Sequence, residues 1–392
     1  MESGIAIIGG GLAGSTLACL LGSKNIPCTL IELAPIDKLT NPSHDIRTTA
    51  ISYGSAQIFK QAGIWDLLEG KGGQIDKIDI LDGGSPVLLS FDHIEAQGNP
   101  FGWIFDNREL RVAMFERMKQ LPSVKILAPA SVADFTVAAD KVTIHLTNGQ
   151  TLDTQLVVGA DGKFSKVRSF LNLPEHGWDY GQRAMVCITK HQNPHNNVAV
   201  EHFRPEGPFA ILPMLDAEDG THRSAVVWTE HCPPSASFMQ FEDKVFEAGL
   251  QARFPANYGK VEMLGKRASF PLSLKHTQSY IGDRMVVVAE AAHVMHPIAG
   301  QGLNISLRDV AALAEQLENV ADPGAPEILR AYEAARIVDT SAMLAATDTL
   351  NKLFGNDLAP LKLARRLGVS VVSRIAPVKG FFMRQAMGQK SR

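Results

Sequence analysis

Near its start the chain reads Ile5-Ala6-Ile7-Ile8-Gly9-Gly10-Gly11-Leu12-Ala13-Gly14, and this stretch decides the fold. A short apolar run such as Ile5–Ile8 is typical of a strand that is covered on both faces of a parallel sheet. The glycines predict a tight turn, the apolar residues Leu12–Leu21 predict a helix, and Cys28–Glu32 predicts a second strand. The chain therefore opens with a strand–helix–strand unit, which indicates an α/β protein.

The three glycines Gly9, Gly11 and Gly14 fit the pattern G-x-G-x-x-G, and each has a physical role. Gly9 permits the tight turn, Gly11 lets a pyrophosphate approach the backbone, and Gly14 lets the helix pack on the strand. The start of the helix, at Leu12 and Ala13, adds amide donors and a partial positive charge. This arrangement predicts a nucleotide site, and the alternative is a plain glycine turn.

The end of the second strand supports the nucleotide interpretation. Glu32 lies 23 residues after Gly9, with Leu33 beside it. A carboxylate at this place accepts hydrogen bonds from ribose hydroxyls and repels a 2′-phosphate. The motif predicts a dinucleotide but does not distinguish FAD from NAD.

Residues 4–23 carry no charge, so that a hydropathy window alone would propose a membrane span. The six glycines in this stretch would weaken a lone helix by about 1 kcal/mol each, and no basic segment precedes it. We therefore expect neither a membrane span nor a signal peptide, and we expect a cytoplasmic protein.

The composition of the 392 residues is that of a globular protein, with 45% hydrophobic and 20% charged side chains. The net charge of −3 does not favour nucleic acid as a partner. The four cysteines form no C-x-x-C pair, which predicts buried thiols rather than disulfides or a zinc site.

Further elements follow from periodicity. Residues Ser55–Glu69, Arg108–Leu121 and Phe238–Phe254 predict helices, and Arg284–Ala289 predicts an apolar strand that a glycine-rich loop follows. Asn148-Gly149, between two alternating runs, predicts a hairpin, and residues 183–232 alternate as strands do.

Two further segments extend the pattern beyond the nucleotide fingerprint. The second runs Val158-Gly159-Ala160-Asp161-Gly162 and continues to Ser165, Val167 and Arg168. The third comprises Gly282-Asp283-Arg284, Ala289-Glu290-Ala291-Ala292-His293, Pro297-Ile298-Ala299-Gly300-Gln301-Gly302-Leu303-Asn304 and Leu307-Arg308-Asp309. In order and spacing, the three segments resemble the class A flavoprotein monooxygenases over nearly the whole chain. The third segment most closely resembles the UbiH/UbiF-type hydroxylases of ubiquinone biosynthesis, as does the run Gly207–Pro213.

These patterns and the resemblance imply an α/β fold. A Rossmann-like FAD-binding domain is interleaved with a mostly antiparallel β-sheet substrate domain, and a C-terminal helical segment follows. The FAD-binding domain is predicted to comprise residues 1–75, 100–175 and 275–320. The substrate domain is predicted at residues 76–99 and 176–274, and the C-terminal helices with a basic tail at residues 321–392.

The resemblance also implies which residues bind FAD. Besides the fingerprint residues and Glu32 and Leu33, they are Arg47, Arg108, Val132, Asp161, Glu290, Pro297, Gly300, Gly302, Leu303 and Asn304. Pro297, Gly300, Gln301 and Gly302 are the candidates for positioning the flavin, and no catalytic base is assigned. This chain has Ala289-Glu290 where the family usually has Gly-Asp, which alters the side chain expected at the ribityl group. The alternative for either arginine is a solvated surface charge.

The activity that the resemblance implies is hydroxylation of the aromatic ring of a polyprenylated phenol in ubiquinone biosynthesis. The resemblance further implies that O2 is the co-substrate, that a C4a-hydroperoxyflavin inserts the oxygen, and that NAD(P)H or a ferredoxin-like partner supplies the electrons. Association with other ubiquinone-pathway proteins is also implied. The alternatives are a hydroxylase of a soluble phenol, a flavin-dependent prenyl reductase of the same fold, and a prenyl-lipid binder without activity.

Two features of the predicted site have competing interpretations. Glu290 and His293 fit one Glu-x-x-His motif, but a di-iron site needs a second copy, so no metal is predicted. His293 and His296 are interpreted as structural histidines that are bonded to backbone at a strand–loop junction. The candidates for the phenol pocket, which are equally candidates for ordinary core, are Val186, Ile188, Phe203, Phe209, Ile211, Val227 and Trp228.

Residues 360–392 carry eight basic residues and no acidic one. Their apolar residues recur at helical spacing, which predicts either a peripheral contact with the inner face of an anionic membrane or a helix packed on the body.

Overall fold

The protein was analysed as a computed structural model that describes residues 2–41, 45–83, 88–231, 233, 237–354 and 375–388. Its helices are α1 (Leu12–Ser23), α2 (Ile36–Leu39), α3 (Tyr53–Gln61), α4 (Asn107–Lys119), α5 (Lys166–Phe170), α6 (Asp243–Gln251), α7 (Gln301–Gln316), α8 (Pro326–Phe354) and α9 (Ala376–Ala386). Its strands are β1 (Glu2–Ile8), β2 (Cys28–Ile31), β3 (Thr48–Ser52), β4 (Gly73–Ile75), β5 (Lys77–Asp82), β6 (Leu89–Asp92), β7 (Gly102–Asp106), β8 (Val124–Leu127), β9 (Val132–Val137), β10 (Val142–Leu146), β11 (Thr151–Gly159), β12 (Glu175–His191), β13 (Val198–Phe203), β14 (Phe209–Pro213), β15 (His222–Glu230), β16 (Val261–Thr277), β17 (Ile281–Gly282), β18 (Met285–Val287) and β19 (His293–Val294).

The first sheet has the strand order β17-β18-β11-β1-β2-β8, and the hairpin strand β10 joins β9 to β11. The central strand β1 is parallel to both β11 and β2. Its apolar residues are buried because helices cover it, and α1 packs against α4 and α7. The predicted strand–helix–strand start and the hairpin at Asn148-Gly149 are both confirmed.

The second sheet has eight strands in the order β19-β16-β12-β15-β14-β13-β5-β6. All of its neighbours are antiparallel except β13 and β5, which are parallel. A third, small antiparallel sheet has the order β3-β7-β4. The predicted α/β fold with a mostly antiparallel second sheet is therefore confirmed, whereas the exact domain boundaries stay a prediction.

Three predicted elements differ from the structure. The helix predicted at Ser55–Glu69 ends at Gln61, because Gly63 has a φ of +67° and a separate short turn of 3-10 helix follows. The helix predicted at Phe238–Phe254 is divided, since Phe241 and Glu242 both have extended ψ angles and the carbonyl of Phe241 accepts a hydrogen bond from Arg267.

The strand predicted at Arg284–Ala289 covers only Met285–Val287. Arg284 and Ala289, the two ends of the predicted range, have φ angles of +56° and +57°. Extended backbone cannot continue through these angles, so the apolar run is bounded by two left-handed residues.

The C-terminal helix α9 packs on the body of the protein. Met383 and Met387 are buried in a cluster with Phe101 and Ile104, and the amide of Gly54 donates to the carbonyl of Met387 over 2.8 Å. Lys379 forms an ion pair with Glu95 at 2.7 Å. These contacts favour the packed-helix alternative for the part of residues 360–392 that is described. The rest of that predicted tail lies outside the described residues.

Within the described ranges, no helix combines the length and the apolar character that crossing a membrane requires.

Candidate cofactor and substrate site

A cavity of about 1530 Å³ runs from the turn between β1 and α1 to the inner face of the second sheet. Most of the predicted cofactor residues line it: Gly9, Gly11, Leu12, Ala13, Glu32, Leu33, Arg47, Val132, Asp161, Glu290, Pro297, Gly300, Gln301, Gly302, Leu303 and Asn304. Gly14 and Arg108 are not part of the lining. Residues that are far apart in sequence are thus brought to one continuous space.

The glycine turn at the start of the cavity is as tight as the motif predicts. Gly9 has a φ of +107°, and a Cβ atom there would come within 2.5 Å of the carbonyl oxygen of Ala160. A Cβ on Gly14 would come within 2.0 Å of the carbonyl oxygen of Gly9. A Cβ on Gly11 would meet no atom within 4 Å, because Gly11 faces open space in the cavity. Two glycines are therefore needed for packing, and the third leaves room for a ligand.

The carboxylate of Glu32 links the end of β2 to this turn. One oxygen accepts a hydrogen bond from the amide of Gly10 at 2.6 Å, and the other accepts from the amide of Ala34 at 2.7 Å. The side chain is half-buried and lines the cavity. The backbone therefore holds the carboxylate in place at the wall of the cavity, where a ribose is predicted.

Asp161 and Val132 lie on the other side of the turn. One carboxylate oxygen of Asp161 accepts from the amide of Lys166 at 2.7 Å, at the start of α5. The other oxygen is buried and has no hydrogen-bond partner among the described residues. The carbonyl of Val132 accepts from the ammonium of Lys166 at 2.7 Å. This side of the cavity therefore retains an unused buried acceptor.

The predicted arginines have different surroundings. Arg47 donates twice to Asp45, each time over 2.8 Å, and its guanidinium lies 5.3 Å from the ring centre of Phe270. Burial alone would raise the pKa of Asp45, but hydrogen bonds and charge from Arg47, with Asn107 and Arg111, hold it far below the usual range. Arg47 thus lines the cavity and is held by an ion pair, while 45% of its side chain remains exposed to solvent.

Arg108 turns away from the cavity, and its side chain donates to the carbonyl of Thr40 and to Glu109. Arg111, three residues further along α4, lines the cavity instead and pairs with Asp45 at 2.9 Å. Its Nη1 atom is buried and has no hydrogen-bond partner in the described part of the chain. Sequence reasoning missed Arg111, although both arginines lie near the start of the same helix.

The glycine-rich loop reaches the cavity through a short turn of 3-10 helix at Ile298–Gly300, and α7 begins directly after it at Gln301. Gly300 has a φ of +62°, and Gly302 faces open space. The amide group of Asn304 donates to the carbonyls of Ala50 and Gly300 at 2.9 and 2.8 Å, and accepts from the amide of Ser52 at 2.9 Å. Asn304 therefore ties the loop to β3.

His293 does not complete a metal site with Glu290. Its Nε2 atom donates to Asp309 at 2.5 Å, while Glu290 is exposed and faces the cavity. Asp309 is also bound by Arg336 at 2.8 Å, so His293 has the structural role that was predicted, with a carboxylate rather than backbone as its partner. No group of three or more metal-binding side chains was found among the described residues.

His296 is fully buried beside the cavity. Its Nδ1 atom accepts from the amide of Ile298 at 3.3 Å, so its Nε2 atom donates to Gln182 at 3.2 Å. Burial lowers the pKa of His296 to about 4. Its backbone partner agrees with the structural interpretation.

The far end of the cavity is apolar. Its walls are Ile78, Ile80, Phe91, Ala199, Phe203, Ala210, Leu212 and Val227 from the second sheet, Met343, Ala346, Leu350 and Phe354 from α8, and Phe381 and Phe382 from α9. Of the predicted pocket residues only Phe203 and Val227 are in this lining. Phe209, Ile211 and Trp228 pack with α6 on the opposite face, because neighbouring residues of a strand point to opposite sides of the sheet. Val186 and Ile188 also lie outside the lining.

The turn Gly9–Gly14, which we call the glycine cradle, and the carboxylate of Glu32 after β2 are typical of a dinucleotide-binding enzyme. The apolar far end of the cavity, which we call the apolar chamber, is continuous with this cradle. The family described as "FAD binding domain" matches residues 2–347. The chain is 43% identical to ubiquinone hydroxylase UbiL of Rhodospirillum rubrum over 388 residues, which are 98% of this chain and 89% of that protein. It is 29% identical to 3-demethoxyubiquinol 3-hydroxylase of Escherichia coli, over 98% of each chain.

Among solved structures, p-nitrophenol 4-monooxygenase PnpA from Pseudomonas putida matches with a TM-score of 0.81 and 17% identity, over 100% of each chain. The chain therefore belongs to the FAD binding domain family, and FAD is its cofactor. The predicted resemblance to ubiquinone-biosynthesis hydroxylases is confirmed by these relatives.

Proposed function

We propose that the protein is an FAD-dependent monooxygenase that hydroxylates the aromatic ring of a polyprenylated phenol in ubiquinone biosynthesis. The observation that carries this proposal is the continuity of the cavity, which passes from the glycine cradle, along the loop Pro297–Asn304, into the apolar chamber. A ring placed beside the loop would meet the cofactor, and an attached prenyl chain would extend among the side chains of α8 and α9.

The residues present fit FAD. The open space above Gly11 and Gly302 lets a ligand approach the backbone closely, and the side chains of Asp161 and Arg111 keep one buried polar atom each for a ligand. We assign the pyrophosphate to Gly11 and the start of α1, the adenosine ribose to Glu32, and the flavin to Pro297, Gly300, Gln301 and Gly302, beside the N-terminus of α7.

When bound, FAD supplies the two-electron chemistry that activates O2. One oxygen atom enters the ring as a hydroxyl group, and the other leaves as water with two electrons and two protons from the donor. The chain orients the ring and excludes water by its apolar walls, while the N-terminal dipole of α7 stabilises negative charge at the flavin edge. His296, which is neutral at pH 7 and uses both ring nitrogens, shapes the wall beside the loop.

The apolar chamber supports a prenylated substrate over a soluble phenol. Its walls contain aliphatic and aromatic side chains from three parts of the fold, and Phe381 and Phe382 line it while remaining 43% and 45% exposed. Because these two side chains face both the cavity and solvent, they mark an opening of the chamber. A prenyl chain longer than the chamber would extend through this opening. A small polar phenol would bury little apolar surface against these walls and would therefore gain little binding free energy from them.

The proposal is tested by deleting the gene and profiling quinone lipids by mass spectrometry. The expected result is accumulation of a polyprenylated phenol that lacks one ring oxygen, and its structure names the ring position. An unchanged quinone profile in a strain without a redundant hydroxylase would overturn the proposal in favour of a soluble phenol. Oxygen uptake by the purified protein with NADH, NADPH or a reduced ferredoxin then identifies the donor.

We also propose that the exposed side of the packed helix α9, together with the basic residues of the range 360–392, contacts an anionic membrane from which the substrate is drawn. The excess of basic residues and the exposed Phe381 and Phe382 beside the chamber opening support this contact. Co-sedimentation with vesicles that contain anionic lipids, with and without residues 360–392, measures it, and equal binding by both forms would refute it. Association with other proteins of the pathway stays a prediction.

A further inference from the structure

Ala289 has a backbone conformation that is unusual for a residue with a side chain. Its φ is +57°, in the left-handed region that favours glycine, and the residue is 4% exposed. It follows β18 at the point where the chain enters the cavity, and the next residue is Glu290. The direction of the Glu290 side chain therefore depends on a conformation that alanine does not readily adopt.

A buried carboxylate holds this conformation. The amide of Ala289 donates to Oδ2 of Asp309 at 3.1 Å, and Asp309 is completely buried in α7. The same oxygen accepts from Nε2 of His293 at 2.5 Å, and the other oxygen accepts from Nε of Arg336 at 2.8 Å. Asp309 thus joins the cavity turn to α7 and α8.

Further charged residues surround Asp309 and its partner Arg336, and they fix the position of the Asp309 carboxylate. Arg336 pairs with Asp339 at 2.6 Å, and Arg308 pairs with the same carboxylate at 3.0 Å. Burial would raise the pKa of Asp309, but the charges and hydrogen bonds of His293 and Arg336 lower it, so the carboxylate is ionised. Because His293 and Arg336 hold this carboxylate from two sides, Asp309 would keep its position even if the backbone at Ala289 changed its conformation.

We propose that Asp309 is a positioning residue for the FAD site: it holds Ala289 in the left-handed conformation and thereby directs Glu290 into the cavity. Glycine at position 289 would adopt the left-handed conformation at little cost. Alanine does so only at a steric cost, which the hydrogen bond to Asp309 offsets. The inference concerns cofactor binding and does not depend on the identity of the substrate.

The test is a double-mutant cycle on FAD affinity. Apoprotein of the wild type, D309N, A289G and the double variant is titrated with FAD, and quenching of flavin fluorescence gives the dissociation constant. We expect D309N to weaken binding by roughly tenfold or more, since a hydrogen bond to a charged group is lost. We expect A289G to improve binding much more in the D309N background than in the wild type.

Thermal unfolding of the same apoproteins separates positioning from stability. Both proteins that carry D309N should be similarly destabilised, because Arg336 loses its buried partner in each, yet only the double variant should regain FAD affinity. A purely structural role would give no such rescue.

If D309N does not fold, His293→Gln, which removes one of the two groups that fix Oδ2, is tested with the same partner substitution. Wild-type FAD affinity in D309N, or an equal effect of A289G in both backgrounds, would overturn the proposal.

Discussion

At the scale of single residues, burial decides what His296 does beside the cavity. An exposed histidine would change its charge near neutral pH, but the pKa of His296 is lowered to about 4 because the ring is removed from water. Its hydrogen bonds to Ile298 and Gln182 use both ring nitrogens of the neutral form. The side chain is therefore a fixed dipole in the wall.

This pKa predicts a pH dependence of stability. In the unfolded chain the group takes up a proton near pH 6.5, whereas in the folded protein it does so only near pH 4, so stability is lost as pH falls through this window. The loss is about 3 kcal/mol in the free energy of unfolding. Denaturant unfolding from pH 7 to pH 4 should show a shallower decline for His296→Gln than for the wild type. Parallel curves would contradict the prediction.

Glu32 shows how one carboxylate supports both the fold and the ligand. Glu32→Ala removes the acceptor for the amides of Gly10 and Ala34, which should lower the free energy of unfolding by about 2 to 5 kcal/mol and weaken FAD binding. Glu32→Gln is the matched control, because its one amide oxygen retains one of the two hydrogen bonds and it should lose about half as much. Denaturant unfolding and FAD titration measure both effects. Unchanged stability of Glu32→Ala would show that these bonds contribute little.

At the scale of elements, two glycines near the start of α1 have different roles: Gly14 is required for packing, and Gly11 leaves room for the cofactor. Gly14→Ala should destabilise the protein by about 3 kcal/mol or more, because the new methyl group would lie 2.0 Å from the carbonyl oxygen of Gly9. Gly11→Ala should cost only about 1 kcal/mol, because its methyl group would meet no protein atom within 4 Å and only the preference for glycine over alanine at the N-cap of α1 is lost.

Gly11→Ala is expected to affect the binding of FAD instead. In Gly11→Ala the methyl group enters the space that the pyrophosphate is proposed to use, so FAD affinity should fall by roughly tenfold or more although the fold is intact. Thermal unfolding of the apoprotein measures a loss of stability, and titration with FAD measures a loss of cofactor affinity. Normal FAD affinity in Gly11→Ala would place the pyrophosphate elsewhere.

The elements also show what the sequence could predict and why the rest could not be predicted. The glycine turn follows from local sterics alone, and the carboxylate after β2 follows from spacing, so both were predictable. The left-handed Ala289 was not, because a buried carboxylate from a distant helix stabilises it against its own preference. Arg108 was predicted from the family resemblance, and the sequence does not show which arginine of α4 is turned toward the cavity by its neighbours.

At the scale of the whole molecule, the apolar chamber is assembled from distant parts of the chain. Its walls come from the second sheet, from α8 and from α9, and α9 is held by the buried Met383 and Met387. No sequence pattern predicted that this helix would complete the chamber, because its hydrophobic spacing fits a membrane contact equally well. Of the seven predicted pocket side chains, Phe209, Ile211 and Trp228 lie on the opposite face of the sheet. Val186 and Ile188 belong to β12, which contributes no residue to the lining.

Truncation tests the contribution of α9. A chain that ends before Ile375 should lose about 3 to 6 kcal/mol of stability, because two methionines lose their buried contacts, and should bind a prenylated phenol more weakly. Its FAD affinity should change little, since the glycine cradle contains no residue of α9. Lys379→Ala is the control, because losing the pair with Glu95 should cost less than about 1 kcal/mol. Equal KM values for the truncated and full chains would exclude α9 as a wall.

The contact between Gly54 and Met387 also has a consequence during protein synthesis. These residues are about 330 positions apart, so a ribosome that adds 5 to 20 residues per second makes the second roughly 15 seconds to a minute after the first. The loop Pro297–Asn304 emerges well before α9, and with it the last part of the cofactor cradle. The order of synthesis therefore completes every segment of the proposed cofactor site before α9, which closes the wall of the substrate chamber, has been translated.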